Sequence, residues 1–134
     1  MADIQRHFPA KLFDSRTAGF AQVVTARGGR HIFVAGQVAM DVDRKLVGGS
    51  DLAAQTRKAL DNVRVALEAV GARRQDIVKV TIFVANYRYE LREALFPALK
   101  EFFDDALPAN SLIGVQSLAR PEFLVEVEAI AVTD

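Results

Sequence analysis

SDLAAQTRKALDNVRVALEAVG, residues 50–71, followed a few positions later by DIVKVTIFV, residues 76–84, is the passage that decides the fold. In its first part Leu52, Thr56, Ala59, Leu60, Val63, Leu67 and Val70 recur at helical spacing, while Arg57, Lys58, Asp61, Arg64 and Glu68 take the other side. That period marks a helix with one apolar stripe. Ser50 is placed to cap its start, Asp51 suits the positive end of the helix dipole, and Gly71 can end it in a left-handed turn. Arg57 with Asp61, and Arg64 with Glu68, stand one turn apart on the wet face and are expected to pair weakly. The second part alternates: Val78, Val80, Ile82 and Val84 share one face of a strand, and Ile77, Lys79, Thr81 and Phe83 the other. Both faces are expected to be largely covered, as in a central strand under a helix.

Working outward toward the N-terminus, residues 31–35 form a β-rich run, preceded by Gly28-Gly29 and by a second strand-like run at 20–27. Two glycines tolerate the positive φ of a tight turn, so a hairpin is expected here. The loop with Asp41, Asp43 and Gly48-Gly49 lacks the later oxygen ligands and closing Glu of a calcium loop and reads as a plain turn. Toward the C-terminus, residues 90–104 have helical character, but a proline in a helix interior loses a hydrogen bond. The expectation is an irregular turn up to Phe96 and a short helix from Pro97 to about Phe103. Strands at 111–118 and 123–132 close the chain. The order β-β-α-β-α-β-β implies one α+β domain, residues 1–134, with two helices on one face of a sheet.

Bulk properties narrow the function. The 134 residues carry 17 basic and 17 acidic side chains, so no broad field steers nucleic acid or an anionic membrane, and neither partner is expected. There is no cysteine, which removes disulfides, thiolate nucleophiles and cysteine metal sites. His7 and His31 are far apart, and nothing is spaced to complete a zinc site with them; no metal and no cofactor are expected. The first thirteen residues lack the apolar run of a signal peptide, and no stretch reaches the roughly 20 apolar residues of a membrane span. A soluble cytoplasmic protein is the default expectation.

Against these elements, particular words stand out. Ile32-Phe33-Val34-Ala35-Gly36-Gln37 resembles a strand ending in Ser-Gly-Gln. Gln55-Thr56, Ala59-Leu60, Asn62 and Gly71 follow a first-helix pattern, and Asp76-Ile77-Val78-Lys79-Val80-Thr81 a strand entry. Phe102-Phe103, Pro108-Ala109 and the tail Val125-Glu126-Val127-Glu128-Ala129-Ile130-Ala131 complete a series running from Gly19 to Val132. In this order and spacing they resemble the Rid/YjgF family, small proteins named for deamination of reactive enamines and imines and also called the L-PSP endoribonuclease family. The resemblance implies a chorismate-mutase-like fold, a homotrimer around a central barrel, and a small-molecule cleft at each subunit interface. A sheet with helices on one face has a second face to bury, which a symmetric oligomer would supply.

The resemblance also distributes roles. Deaminating members grip the substrate carboxylate with the arginine of a Pro-x-Arg-Ser word; here the word is Pro108-Ala109-Asn110-Ser111, and Asn110 offers no ionic fork. Loss of such a charge in a cleft commonly costs several kcal/mol. A cysteine often found two positions later is Leu112, and an asparagine near the second helix is matched by Phe96. Glu126 aligns with the carboxylate implicated in handling the hydrolytic water, as a general base would, and reads otherwise as a structural residue of its strand. Glu128, two residues on, shares its strand face and is read as structural. Gly36 would bring backbone N–H groups close to a ligand, or simply turn the strand. Gln22 and Phe20 fall where relatives place a side chain over the cleft. Arg120, before Pro121, is either a substitute cation or a solvated loop arginine.

Two readings follow. One is hydrolysis of an enamine or imine other than the usual 2-aminoacrylate type, with Glu126 catalytic and Gly36, Asn110, Ser111, Phe96, Gln22 and Arg120 lining the ligand. The other is a trimeric ligand-binding or regulatory protein that keeps the cleft without the chemistry. A ribonuclease, as some relatives are described, is disfavoured by the neutral charge and the lack of a histidine pair for acid–base cleavage.

Overall fold

In the computed structural model, which describes residues 2–134, Asp51 rather than Ser50 begins the long helix. Asp51 has extended backbone, and its carboxylate accepts from the Ala54 N–H at 3.2 Å, so the cap falls one residue later than the sequence suggested. The helix, α1, spans Leu52–Glu68. It ends as expected at Gly71, whose φ of +76° lets Gly71 N–H donate to Glu68 O (3.0 Å) and Ala72 N–H to Leu67 O (2.9 Å). The stripe Leu52, Thr56, Ala59, Leu60, Val63 and Leu67 is buried. Fully buried among them is Gln55, whose amide donates to Gly49 O and Glu122 O and whose Oε1 accepts from Leu124 N–H. It fastens the start of the helix to the loop before it and to the segment that leads into Val125. On the wet face Arg64 pairs with both Asp61 and Glu68, whereas Arg57 turns to Glu101 instead of Asp61.

The stripe packs on a four-stranded sheet of order β3-β6-β4-β5, made of β3 (Arg30–Gln37), β4 (Ile77–Ala85), β5 (Ala109–Val115) and β6 (Val125–Thr133). β4 and β5 are parallel, and β6 runs antiparallel to β3 and β4. Both helices cover one face, where Val34, Val80, Ile82, Val84, Val125, Val127, Ala129 and Ala131 are buried. This is the α+β arrangement expected, with a mixed sheet.

The second helix, α2 (Arg92–Phe103), is longer than expected and keeps Pro97 inside it. Pro97 leaves the Glu93 carbonyl without its helical donor, but both residues are exposed, so water can serve that oxygen. The buried stripe Leu95, Ala98, Leu99 and Phe103 then outweighs the missing bond.

The expected hairpin across Gly28-Gly29 does not form. β2 (Val23–Arg27) pairs instead with an N-terminal strand that the sequence reading had not marked, β1 (Asp3–His7), in a separate antiparallel ribbon. Neither glycine has the positive φ a tight hairpin needs. Gly28 serves close approach: a Cβ there would stand 2.6 Å from Thr133 O and 2.9 Å from the Ala2 Cβ. The ribbon is tied down by Arg6, which donates to Leu107 O (2.8 Å) and Gln75 O, and by a bridge from Ala21 to Ala109.

The other face of the four-stranded sheet is open within the chain, so β4 is covered on one side only, unlike the sequence expectation. Register sets that face out in rows: Ala109, Lys79, Ile130 and Phe33; then Ser111, Thr81 and Glu128; then Ile113, Phe83 and Glu126. Phe33 is 74% exposed and Ile113 41%. An extra residue in β4 between Ile77 and Lys79 breaks the simple alternation, which is why Ile77 is buried and Val78 is not.

Candidate functional site

Glu126 and Gly36 meet on the open face. From Val34 to Gln37 β3 advances three residues while β6 advances two, Ala129 to Val127. Bulges re-aim the residues they carry. Ala35 and Gly36 are both exposed, between the buried Val34 and the half-buried Gln37. The Glu126 side chain lies directly over the bare backbone of Gly36, where a Cβ would be 2.5 Å from Oε1. Glu126 is half-buried, and among the described residues no hydrogen bond or ion pair engages its carboxylate. A carboxylate so placed has its acceptor oxygens left for a water molecule or a ligand.

The remaining residues singled out in the sequence fall elsewhere. Asn110 pairs with Val80 and so points to the helix side, where its Oδ1 is buried without a hydrogen-bond partner. Ser111 is on the open face, its hydroxyl accepting from Lys79 Nζ at 2.8 Å. Three residues along the strands and two strands across separate Glu126 from Asn110, about 14 Å at ordinary strand rise and spacing, on opposite faces. Gln22 lies beside the start of β5, its amide donating to Phe13 O. Phe20 meets Phe13 edge-on. Phe96 packs against the helix–sheet core. Arg120 sits at the opposite end of β5 from Asn110, donating to Arg44 O, near Glu122 and over the Phe123 ring. One chain thus gathers Gly36 with Glu126, and Gln22, Asn110 and Ser111 near the start of β5, but does not join the two groups.

Beside the first group is a groove of about 410 Å³ lined by Phe33, Ala35, Lys79, Thr81, Glu128 and Ile130 together with the backbone of Val34 and Ala129. The sequence reading passed over Lys79 and Thr81 by treating their face as covered. The signal was there: polar residues alternating with Val80 and Ile82 on a strand mark a second face that the core does not claim. Among the described residues no group of three or more His, Asp or Glu side chains stands ready to hold a metal, and no helix is long and apolar enough to cross a membrane.

Comparison with known proteins agrees with this architecture. Residues 14–133 match the model of the family described as Endoribonuclease L-PSP. A 2-iminobutanoate/2-iminopropanoate deaminase from Dermatophagoides farinae is 33% identical over 79% of this chain and 80% of its own length. One of the same description from Escherichia coli K12 is 35% identical over 78% and 80%. The crystal structure of YyfB from Yersinia pestis, a Rid-family protein of unknown function, superposes with a TM-score of 0.92 at 38% identity, covering 96% of this chain and 98% of that one. The ordered motifs, the two helices on a mixed sheet and these matches together establish that the chain belongs to the Rid/YjgF family, also described as the endoribonuclease L-PSP family.

Proposed function

We propose that the protein hydrolyses the C=N bond of a small imine, or of the enamine in equilibrium with it, in a cleft between subunits of a homotrimer. The observation that carries this reading is the Glu126 carboxylate, unengaged and laid over the bare backbone of Gly36. Glu126 takes a proton from water as the water oxygen bonds to the imine carbon and the C=N pair moves onto nitrogen. With the imine nitrogen protonated at the outset, this gives a neutral carbinolamine; Glu126 returns the water proton to its nitrogen, the C–N bond breaks with its pair leaving on ammonia, and the hydroxyl proton passes back to Glu126 as the carbonyl forms.

The deaminase names of two relatives support the reaction class. A shared cleft is supported by geometry. Asn110 and Glu126 lie on opposite faces about 14 Å apart, so a small substrate touching both draws them from two chains. The exposed Phe33 and Ile113 give the open face an apolar surface for such a contact. Asn110 supplies no cation, so the favoured substrate is an imine that needs no carboxylate fork, unlike the 2-aminoacrylate type.

The orphaned Asn110 oxygen favours a second reading, a trimeric binding protein without turnover. Ammonia release from imines generated in place from charged and uncharged amino-acid precursors separates the two. The expected result is turnover of uncharged imines, abolished by Glu126→Gln, with carboxylate-bearing imines poor. No turnover of any of them, with a small molecule recovered unchanged from the purified trimer, would replace the first reading by the second.

A further inference from the structure

Arg57, Leu60, Asp61 and Arg64 are spaced to share one side of α1, and Ala98, Glu101 and Phe102 to share one side of α2. The two sides line a groove of about 340 Å³, and Arg74, from the turn before β4, completes the lining. Leu60, Ala98 and Phe102 make part of it apolar, and Ala98 is too small to fill the seam between the helices. Arg57, Arg64 and Glu101 are exposed, so the groove opens on the solvent side of the helix layer. Both helices cover the face of the sheet opposite to the open one. An assembly that buries the open face therefore leaves this groove accessible.

The charges in the groove are unevenly matched. Arg64 is already held, donating to Asp61 at 2.6 Å and to Glu68 at 2.8 Å. Arg57 Nε stands 3.8 Å from the Glu101 carboxylate, beyond hydrogen-bond length. Arg74 is half-buried and donates to Phe103 O at 2.7 Å, and it meets no carboxylate among the described residues. A carbonyl takes one of the five N–H donors of a guanidinium and cancels none of its charge.

From these positions we infer that the groove binds a small organic monocarboxylate with an apolar body, separate from the Glu126 centre. The carboxylate accepts a two-pronged pair of hydrogen bonds from Arg74, and Arg57 adds its charge. The apolar body lies on Leu60, Ala98 and Phe102, whose ring suits an aromatic group. Asp61 and Glu101 line the same groove and repel a second negative charge, as do the partial charges on the last carbonyls of α2. A monoanion is thus preferred to a phosphate monoester. No hydrolytic step enters, so this site stands or falls apart from that reading.

Calorimetric titration of the protein, in its native assembly, with phenylacetate tests the site. Three probes of similar shape accompany it: uncharged 2-phenylethanol, cationic 2-phenylethylamine, and phenyl phosphate in a buffer alkaline enough to keep it a dianion. Saturable phenylacetate binding is expected, with a Kd of about 1 mM or tighter. The uncharged and cationic probes should be at least about tenfold weaker, and phenyl phosphate about two- to fivefold weaker. Arg74→Gln should weaken phenylacetate by about tenfold or more, and Arg57→Gln by about two- to fivefold. Glu101→Gln should tighten it by about two- to fivefold, because it removes a repelling charge and releases Arg57. Arg57 and Glu101 are exposed and make no hydrogen bond among the described residues, so these two variants decide the matter even if Arg74→Gln fails to fold. Glu126→Gln should leave phenylacetate binding unchanged. Absence of saturable phenylacetate binding, equal binding of 2-phenylethanol, or tighter binding of phenyl phosphate overturns the proposal. So does an affinity for phenylacetate that Arg57→Gln leaves unmoved and Glu101→Gln fails to tighten.

Discussion

Replacing Gly36 by alanine tests whether Glu126 works where the fold puts it. The added Cβ would stand 2.5 Å from Oε1, 2.7 Å from Cδ and 2.9 Å from Cγ of Glu126. Ordinary carbon contacts begin near 3.5 Å, so the carboxylate must retreat by about 1 Å. The backbone at Gly36 is outside the positive-φ region, so alanine adds no conformational strain. The atoms it displaces are the end of a flexible side chain on an open face. Stability should therefore change by less than about 1 kcal/mol in either direction, since alanine also narrows the unfolded ensemble. Activity is a different matter. A misplacement of about 1 Å in a reacting group can cost about a hundredfold, so kcat/KM for imine hydrolysis should fall by one to two orders of magnitude, roughly, while the urea midpoint hardly moves. Glu126→Gln alone should cost about 10²–10⁴-fold, and the double variant should be no worse, because both changes act through one carboxylate. An alanine variant with wild-type kcat/KM would refute the reasoning, as would full additivity in the double variant.

Three further outcomes are expected. Gln55→Met removes three hydrogen bonds and leaves the Leu124 N–H and two carbonyls without their partner. It should cost about 2–4 kcal/mol by urea unfolding at fixed protein concentration, and a loss under about 1 kcal/mol would show that water replaces the side chain at little cost. Gly71→Ala meets open space but keeps a φ of +76°, so it should destabilise by about 1 kcal/mol through backbone strain alone. No change in thermal midpoint would contradict that. Asp14 titrates below the usual carboxylate range because the Arg16 side chain and then its N–H donate to it, with the guanidinium charge assisting and burial slightly opposing. A depressed carboxylate contributes above its unfolded pKa and loses that contribution as pH falls through its folded one. Arg16→Gln should therefore raise the Asp14 midpoint in an NMR titration, and an unmoved midpoint would count against the pairing.

The elements legible in the sequence were those whose signals have one meaning. The stripe of α1 at helical period can be buried in only one way, and Gly71 after it can only close the helix or waste a glycine. Pro97 misled because the rule against interior proline assumes a buried or needed donor, and the sequence does not say that Glu93 and Pro97 share the wet side. Gly28-Gly29 misled because two glycines serve a tight turn and a close approach equally well. The packing of Gly28 against Thr133 is a contact across more than a hundred residues. At the site, resemblance singled out both Gly36 and Glu126, but nothing local says that they touch. The inward aim of Asn110 follows from parallel pairing with Val80, a tertiary choice. Lys79 was visible as a polar residue on a strand and was set aside by assuming both faces covered.

The extra residue in β3 has a consequence for chain length. Strict alternation between Val34 and Gln37 would give the open face one position there; the bulge gives it two. One of them, Ala35, lines the groove that holds Lys79 and Glu128, and the other, Gly36, is the gap that Glu126 occupies. A relative one residue shorter at this point has room for the wall or for the gap, not for both. Loss of a single codon would thus force a choice between the groove wall and the gap under Glu126, with every strand and helix of the fold still in place.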